Sequence, residues 1–321
     1  MIDFYNSRVY VAGHTGLVGS ALWNRLKIDQ YEQLIDPELD GIKPDLRNQV
    51  AVDDFFMVNK PEYVFLVAAR VGGIQANIDR PAEFIYDNLL IQSNVMEAAR
   101  KHNVKKLLFL GSSCIYPREA PQPMKEEYLL SGPMEPTNKP YALAKIAGIQ
   151  MCNSYNRQYG TNFIALMPPN LYGPGDNFTD SGHVMAALIK KFHKAKVAGD
   201  PSVTLWGTGD ARREFLYVND LASAMIHAMQ YIDADVDAPF YNVGSGGDIT
   251  IWNLAILIAA HVGYEGEILW DETKPEGMPR KLLDSTKFQT YGHGWYPWYD
   301  LNIGIARTYE WYVKSLEREH E

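Results

Sequence analysis

The expected fold follows from one stretch near the start of the chain, Arg8-Val-Tyr-Val-Ala-Gly-His-Thr-Gly-Leu-Val-Gly-Ser-Ala-Leu-Trp-Asn-Arg-Leu26. Residues 8–12 form an apolar run typical of a short buried strand, and residues 20–26 have the amphipathic spacing of a helix. Glycines at positions 13, 16 and 19 separate the two elements. A strand, a glycine turn and a helix in this order predict the first unit of a parallel α/β sheet.

The glycine turn has the spacing Gly-x-x-Gly-x-x-Gly, a variant of the dinucleotide fingerprint. We expect Gly13 to permit the tight turn, Gly16 to let the backbone approach a pyrophosphate, and Gly19 to allow close packing of the helix on the strand. The helix N-terminus would add amide groups and a positive dipole end. A plain turn without a ligand is the alternative. The expected dinucleotide contacts in this turn are Gly13, His14, Thr15, Gly16, Leu17, Val18 and Gly19.

The second strand is expected at Glu32–Ile35, and Asp36 follows it directly. An acid at this position usually accepts a hydrogen bond from a ribose 2′-hydroxyl and repels a 2′-phosphate, which favours NAD over NADP. The alternative is that Asp36 is a solvated loop acid. Asp45 and Leu46 are placed by position alone as candidates to cover the adenine.

Strand and helix patterns continue to alternate through the first half of the chain. Apolar strands with intervening helices predict a parallel sheet buried on both faces, in which ligands bind beyond the carboxyl ends of the strands. The predicted strands are Tyr63–Ala69, Lys106–Leu110 and Asn162–Met167, and the predicted helices are Asn48–Asn59, Pro81–His102 and Tyr141–Tyr159. The strand-end residues expected to line the dinucleotide crevice include Leu110, Gly111, Ser112, Ser113, Pro168, Pro169, Asn170 and Leu171.

After about residue 171 the pattern loosens, which indicates a second unit. We predict an α/β fold, in which a Rossmann-type doubly wound parallel sheet (residues 1–170 plus about 215–245) carries a smaller, interleaved C-terminal substrate-binding lobe (171–214 and 246–321). The segments expected in this half are a helix at Val184–Ala195, a short strand at Phe215–Asn219, a helix at Asp220–Tyr231, a return to the sheet at Phe240–Gly244 and a loop-rich stretch at Glu267–Lys281.

Composition narrows the class of protein. The 321 residues are 46% hydrophobic with a formal net charge of −9, and the absence of long basic runs argues against a nucleic-acid partner. Two isolated cysteines form no metal-binding pattern and fit a reducing compartment. With no leader-like start and no run of about 18 apolar residues, the chain is expected to be cytoplasmic, without a membrane partner.

Tyr141 and Lys145 stand four residues apart and therefore share one face of the predicted helix. An ammonium beside a phenol is expected to lower the tyrosine pKa from its usual value near 10, which would make Tyr141 a proton donor near neutral pH. Ser112, at the end of a predicted strand, can bond the same substrate oxygen. These groups suit the reduction of a carbonyl, and an ordinary helix-surface pair is the alternative.

The chain resembles the extended short-chain dehydrogenase/reductase family, and within it the enzymes that epimerise and reduce GDP-4-keto-6-deoxy-mannose. The resemblance covers nearly the whole chain. It rests on Ala12-Gly-His-Thr-Gly-Leu-Val-Gly-Ser20, Val71-Gly-Gly-Ile74, Leu108-Phe-Leu-Gly-Ser-Ser-Cys-Ile-Tyr-Pro117, Glu135-Pro-Thr-Asn138, Pro140-Tyr-Ala-Leu-Ala-Lys-Ile-Ala-Gly148, Ser154-Tyr-Asn-Arg-Gln-Tyr-Gly160, Asn170-Leu-Tyr-Gly-Pro174 and Lys274-Pro-Glu-Gly277.

The resemblance implies catalytic roles for five residues. Ser112, Tyr141 and Lys145 match the reduction triad, with Lys145 also near the cofactor. Cys114 and His183 match the pair that moves protons during epimerisation, with His183 near the cofactor as well. A 4-keto group acidifies the hydrogens on C3 and C5, so inversion needs a base on one face of the sugar and an acid on the other. Without the resemblance, Cys114 would be interpreted as a small packed residue and His183 as a loop or cap residue.

The resemblance also implies the ligands. Lys191, Trp206, Arg213 and Glu276 match positions that contact a GDP-sugar, and the lobe offers further cations for a pyrophosphate at Lys190, Arg212 and Arg280. Relatives use NADP(H) held by arginines in the glycine turn and after the second strand. Here Thr15 and the region of Asp36 occupy those places, with Lys43 as a possible substitute, so NAD(H) remains an alternative.

Three functions compete at this point. The first is a 3,5-epimerase and 4-reductase of GDP-4-keto-6-deoxy-mannose. The second is a related enzyme on another GDP-4-keto sugar, a dideoxy or heptose derivative. The third is a cofactor-binding protein without turnover, against which the intact set of Ser112, Tyr141 and Lys145 argues. By resemblance, the helices at Pro81–His102 and Tyr141–Tyr159 imply a homodimer through a four-helix bundle.

Overall fold

Six parallel strands form the central sheet of the protein. The computed structural model describes residues 6–37, 43–179, 182–235, 239–274 and 277–319. The elements in chain order are β1 (Val9–Ala12), α1 (Leu17–Ile28), β2 (Leu34–Ile35), α2 (Gln49–Asn59), β3 (Tyr63–Leu66), α3 (Ile74–Asp79), α4 (Pro81–Lys101), β4 (Lys106–Leu110), α5 (Lys139–Tyr159), β5 (Phe163–Met167), β6 (Asn170–Tyr172), α6 (Val184–Ala198), β7 (Ser202–Trp206), β8 (Arg212–Tyr217), α7 (Val218–Tyr231), β9 (Tyr241–Asn242), β10 (Asp248–Thr250), α8 (Ile251–Val262), β11 (Glu267–Asp271), β12 (Arg280–Lys281), α9 (Thr286–Tyr291) and α10 (Leu301–Glu319).

The strand order of the central sheet is β2-β1-β3-β4-β5-β9. The chain moves from β1 to β2 on one side and then returns to β3 on the other, so the order reverses between β1 and β3. Such a switch point opens a crevice beyond the carboxyl ends of the two strands. The doubly wound parallel sheet is therefore confirmed, as is the return of residues 240–244 to the sheet through β9.

Helices cover both faces of this sheet. Every residue of β1, β3, β4 and β5 is buried, which explains why these strands read as continuous apolar runs. The helices α1 and α7 pack in the core on one face, and α2, α4 and α5 pack on the other. Full burial of each large apolar side chain contributes about 1.5–3 kcal/mol, so both faces stabilise the platform that presents the strand ends.

The second unit is built around β8. This strand pairs in parallel with β6 and β12 and antiparallel with β10, while β7 and β11 form a separate parallel pair. The helices α6, α8 and α10 share a third apolar core with these strands. Since β8 begins at Arg212, the predicted strand at Phe215–Asn219 starts earlier than expected, and its last two residues begin α7.

The prediction that Glu267–Lys281 is loop-rich is wrong for its first five residues and for its last two, which form β12. Residues 267–271 form β11, which pairs with β7 over its whole length. This strand has no fully buried residue, so it lacks the apolar run that marked the central strands. Within the described ranges, no helix combines the length and the apolar character that a membrane span requires.

Candidate active site

The glycine turn after β1 has the geometry of a phosphate cradle. Gly13 has a φ of +100°, and a Cβ there would lie 2.7 Å from the backbone nitrogen of Ala68 at the end of β3. A Cβ at Gly19 would lie 1.9 Å from the Gly13 carbonyl oxygen, so α1 packs against the turn more closely than any side chain allows. At Gly16 the nearest such atom is 3.6 Å away, which leaves the surface open. The first amides of α1 have no intrahelical acceptor, so this cradle fits a pyrophosphate.

The residues expected to contact the adenosine half of the cofactor are spread over a longer stretch of the chain than those of the glycine turn. Asp36 directly follows β2, whereas residues 38–42 lie outside the described part of the chain. Asp45 accepts hydrogen bonds from the Arg47 guanidinium at 3.0 and 2.9 Å, and Arg47 lowers the pKa of this carboxyl. Leu46 packs against the core, and its carbonyl accepts a 2.9 Å bond from Asn94. The Asp45 carboxylate is thus already paired with Arg47, two residues later in the chain.

Lys145 is locked at the carboxyl end of β4. Its buried ammonium donates a hydrogen bond of 2.7 Å to the Leu110 carbonyl and lies 4.7 Å from the ring centroid of Phe109. This position depends on Gly148 one turn later, because a Cβ there would lie 2.3 Å from the Phe109 ring. The helix α5 therefore lies close enough to β4 to bring its face to the strand end.

The expected lowering of the Tyr141 pKa is wrong for this state of the protein. Burial raises the pKa of the phenol, the neighbouring Cys114 raises it further, and a hydrogen bond with Ser112 only partly offsets these effects. The Lys145 ammonium points to Leu110 and lies 5.7 Å from the centroid of the phenol ring. Burial also lowers the pKa of Lys145 to about 7. Tyr141 therefore keeps its proton at neutral pH, as a proton donor must.

Ser112 and Cys114 complete this end of the sheet. Ser112 begins a short 3₁₀ turn, Ser113–Ile115, in which its hydroxyl accepts a 3.3 Å bond from the Cys114 amide. The Cys114 sulfur is partly exposed and lies 3.3 Å from the Asn138 side-chain nitrogen and 3.7 Å from the Lys281 nitrogen. Serine, tyrosine, lysine and cysteine thus meet at one strand end, as the sequence predicted.

The end of β5 lies beside this turn. The Ser113 amide donates a 3.0 Å bond to the Pro168 carbonyl, and the Gly111 amide donates a 2.8 Å bond to the Leu166 carbonyl. Asn170, at the start of β6, donates a 3.0 Å hydrogen bond to the Glu214 carbonyl in β8. The strand-end residues expected to line the crevice, which include Leu110, Pro169 and Leu171, therefore lie at the carboxyl ends of the adjacent strands β4 and β5 and in β6, which follows β5 and pairs with β8.

His183 is the N-cap residue of α6 and makes no side-chain cap bond. Although its side chain is accessible to solvent, desolvation by the surrounding protein and then the positive charge of Lys281 lower its pKa. Lys281 is therefore close enough to influence both His183 and Cys114. We did not predict Lys281 from the sequence, since it lies 167 residues from Cys114. Asn138, also missed, stands within the quoted Glu135-Pro-Thr-Asn motif.

Several cations of the lobe form ion pairs or hydrogen bonds with other groups of the protein. Arg212 and Arg280 both pair with the carboxylate of Asp248, and their binding to a pyrophosphate stays a prediction. Lys191 donates a 2.6 Å bond to the Thr204 carbonyl, and Arg213 donates one of 2.8 Å to the Arg212 carbonyl.

An aromatic surface lies near these cations. Trp206 is 54% exposed at the end of β7, and the Lys274 nitrogen lies 5.7 Å from the centroid of its ring. Glu276, the fourth residue expected to contact substrate, lies outside the described residues. A flat exposed ring beside positive charge suits a nucleotide base.

Comparison with known proteins agrees with this geometry. A family model described as "NAD dependent epimerase/dehydratase family" matches residues 9–244. The GDP-L-fucose synthase of Escherichia coli (strain K12) is 48% identical over 318 residues, which cover 97% of this chain and 98% of that protein. GDP-L-fucose synthase 1 of Arabidopsis thaliana is 49% identical over 315 residues, which cover 97% and 94%.

The chain is also similar to a solved structure that contains a bound cofactor. The GDP-mannoheptose C4 reductase from Campylobacter jejuni with NADP bound is 41% identical and matches with a TM-score of 0.87, covering 96% of this chain and 99% of that one. The glycine cradle, the Tyr141–Lys145 pair and these likenesses lead to one conclusion. The chain belongs to the NAD dependent epimerase/dehydratase family.

Proposed function

We propose that this protein is an NADPH-dependent enzyme that converts GDP-4-keto-6-deoxy-D-mannose to GDP-L-fucose, inverting C3 and C5 and then reducing C4. The observation that carries the proposal is the meeting of Ser112, Tyr141 and Lys145 with Cys114 at the carboxyl end of β4. The relatives named GDP-L-fucose synthase, nearly half identical over the whole chain, support this choice of substrate.

The cofactor is proposed to lie in the crevice at the switch point. The open backbone at Gly16 and the first turn of α1 would hold the pyrophosphate, and the ends of β4 and β5 would flank the nicotinamide. When bound, the reduced nicotinamide supplies the hydride that C4 of the sugar gains. The related reductase with NADP bound supports NADP(H). Asp36 at the end of β2 supports NAD(H) as the second candidate.

For the reduction, Tyr141 is proposed to donate its proton to the oxygen on C4. Its raised pKa keeps the phenol protonated until the oxygen becomes strongly basic. Ser112, whose hydroxyl is close enough to lower the pKa of Tyr141, is placed to donate to the same oxygen. Lys145, when protonated, contributes positive charge behind the phenol while its bond to Leu110 fixes its position.

For the epimerisation, Cys114 is proposed as the base and His183 as the acid. The thiolate takes the proton from C3 or C5, and the electron pair of the broken C–H bond moves into the enolate of the 4-keto group. Tyr141 and Ser112 stabilise the enolate oxygen by hydrogen bonding. His183 returns a proton from the opposite face. The same pocket thereby serves both halves of the reaction.

The GDP portion is proposed to bind to the lobe. Arg213 and Lys191 are candidates for the diphosphate, because arginine and lysine provide charge-assisted hydrogen bonds to phosphate oxygens. The exposed ring of Trp206 would pack against the guanine.

A related function on a heptose is the second candidate. The observation that favours it is the 41% identity to a GDP-mannoheptose C4 reductase over nearly the whole chain. The deciding experiment supplies purified protein with each GDP-4-keto sugar and either NADPH or NADH, then identifies the product by NMR. We expect GDP-L-fucose from the 6-deoxy substrate. Turnover of the heptose derivative alone would contradict the proposal.

We also propose that the protein is a cytoplasmic homodimer. The helices α4 and α5 pack against each other and carry exposed apolar side chains, among them Tyr86 (64% exposed) and Leu143 (38% exposed). Burying these residues against a second copy would complete a four-helix bundle. The free cysteines Cys114 and Cys152 fit a reducing cytoplasm. Elution from a sizing column at the mass of one 36.3 kDa chain would contradict the dimer.

A further inference from the structure

The sulfur of Cys114 lies between two hydrogen-bond donors. The Asn138 side-chain nitrogen is 3.3 Å away, and the Lys281 ammonium nitrogen is 3.7 Å away. Throughout the described ranges, no acceptor receives a hydrogen bond from the Cys114 thiol. A neutral thiol would offer its proton to an acceptor, whereas a thiolate needs donors. The surroundings of this sulfur therefore suit the thiolate.

Both donors are held in place by hydrogen bonds within the protein, which form without substrate. Asn138 ends the 3₁₀ turn Pro136–Asn138, which is capped by the buried carboxylate of Glu135 through a 3.3 Å bond from the Thr137 amide. The oxygen of the Asn138 amide is buried without a partner, while its nitrogen faces the sulfur. In this orientation the amide oxygen of Asn138 lacks a hydrogen bond, while its nitrogen donates to the Cys114 sulfur.

Lys281 belongs to β12, and the residues after it are anchored on two sides. The Leu282 amide donates a 2.9 Å bond to the Gln122 side chain, and the Leu283 amide donates a 2.9 Å bond to the fully buried carboxylate of Glu214. β12 also pairs with β8, in which Arg213 is the register partner of Lys281. The ammonium is thus presented from a strand rather than from a loop.

The polar groups near this sulfur come from several elements. Lys281 on β12 and Asn138 in the turn before α5 contact the sulfur, the Ser112 hydroxyl accepts a bond from the Cys114 amide, and Tyr141 on α5 is close enough for Cys114 to raise its pKa. In the described part of the chain, no carboxylate forms an ion pair with Lys281. Its ammonium lies 3.7 Å from the Cys114 sulfur, and, after desolvation, its charge is the second cause of the lowered pKa of His183.

We propose that Lys281 and Asn138 are positioning residues that keep Cys114 as the thiolate, ready to remove a proton from the sugar. This inference rests on the proposed epimerase function. The two residues act through the sulfur and take no proton themselves. The thiolate gains the proton and becomes a thiol, and the electron pair of the C–H bond remains with the substrate enolate.

The test measures the reactivity of Cys114 without substrate. Iodoacetamide alkylation is followed by mass spectrometry between pH 5 and pH 10, because only the thiolate reacts. We expect the wild type to be alkylated at neutral pH more readily than either variant in which a donor to the sulfur is lost. Lys281→Met should move the midpoint up by about one pH unit and slow alkylation at neutral pH by roughly tenfold. Asn138→Asp, which places an acceptor against the sulfur, should move it in the same direction.

Matched controls separate charge from structure. Lys281→Arg keeps a cation and should keep a midpoint near the wild-type value, whereas a purely structural role for Lys281 predicts no such rescue. Cys114→Ser reports the background labelling of buried Cys152. Should Lys281→Met fail to fold, Lys281→Gln takes its place, and an alkylation profile in Lys281→Gln equal to that of the wild type overturns the proposal.

A second readout keeps this proposal distinct from the proposed function. Deuterium exchange at C3 and C5 of the GDP-4-keto sugar is measured in heavy water. Unchanged alkylation profiles in Lys281→Met and Asn138→Asp, with exchange intact in the wild type, would overturn only the positioning roles. Shifted alkylation profiles with no exchange in the wild type would overturn the epimerase function and leave the thiolate site standing.

Discussion

The candidate site residues come from two regions, the carboxyl end of the central sheet (the sheet wall) and the part of the chain after residue 171 (the lobe wall), which are built in different ways. On the wall formed by the central sheet, Lys145 is buried, its ammonium is bonded to the Leu110 carbonyl, and the Ser112 hydroxyl accepts a bond from the Cys114 amide. On the wall formed by the lobe, Trp206 is more than half exposed and His183 is accessible to solvent. The first wall holds its groups before any ligand arrives, whereas the second presents side chains that a ligand would cover.

The sheet wall is therefore suited to catalysis, and the lobe wall is suited to substrate recognition. Preorganised donors lower a barrier because they need no rearrangement during the reaction. Exposed side chains contribute binding free energy when the ligand excludes water from them. Substitutions in the sheet wall should therefore change turnover and protein stability, and substitutions in the lobe wall should change substrate affinity.

The largest effect is expected for Tyr141→Phe. Loss of the hydroxyl removes the proton donor and should lower kcat by about 10²–10⁴-fold, while the ring keeps its edge-on contact with Phe84. NADPH consumption with the keto sugar measures the effect. Tyr291→Phe, on the remote helix α9, is the matched control and should retain full activity. A Tyr141→Phe enzyme within twofold of the wild type would remove Tyr141 from the mechanism.

A smaller effect, on binding alone, is expected for Arg213→Ala. If its guanidinium contacts the diphosphate, loss of charge-assisted hydrogen bonds worth about 1.5–3 kcal/mol should weaken GDP binding roughly 10–100-fold. Calorimetric titration with GDP measures this directly. Arg307→Ala removes a cation that contacts Tyr299 on the surface and is the control. Equal weakening in both variants would point to general charge rather than to a specific site.

The buried ammonium of Lys145 should make stability depend on pH. Its pKa in the folded protein, about 7, lies below the value of about 10.4 in the unfolded chain. Between these values the unfolded chain binds more protons, so this group makes the free energy of unfolding rise with pH, by at most about 1.4 kcal/mol per pH unit. Urea unfolding of the wild type and Lys145→Met at pH 7 and pH 9 measures the difference. An equal slope in both proteins would contradict the assigned burial effect.

The smallest effect is expected for Asp36→Ala. A partly exposed carboxylate repels a 2′-phosphate by about 0.2–1 kcal/mol, so its removal should tighten NADPH binding a few-fold and leave NADH binding nearly unchanged. Fluorescence titration of each dinucleotide measures both affinities. Asp54→Ala, an exposed acid on α2, is the control. Tighter binding of NADH and NADPH alike would show that Asp36 does not discriminate between them.

Local spacing predicted the sheet wall well. The strand, glycine turn and helix at residues 8–28 and the Tyr141–Lys145 pair are short-range patterns, and each was found where the sequence placed it. The direction of the Tyr141 pKa could not be read in the same way. It depends on where the Lys145 ammonium points and on how much protein surrounds the phenol, and neither quantity is local.

Long-range pairing explains what the sequence did not reveal in the lobe. The contact between Lys281 and Cys114 joins residues 167 positions apart, and Arg212 and Arg280 are drawn together by Asp248 from separate strands. The strand β11 was missed because its residues are only partly buried. Such features follow from the assembled lobe, so no motif or periodicity marks them.

The central claim is that base and proton donor share one pocket around a single ketone. It is tested most directly by incubating the GDP-4-keto-6-deoxy sugar with the protein in heavy water, without reduced cofactor, and following C3 and C5 by NMR. We expect deuterium at both carbons with the wild type and none with Cys114→Ser. No deuterium uptake at either carbon by a wild-type protein that reduces C4 in a separate assay with NADPH, or undiminished uptake in Cys114→Ser, would contradict it.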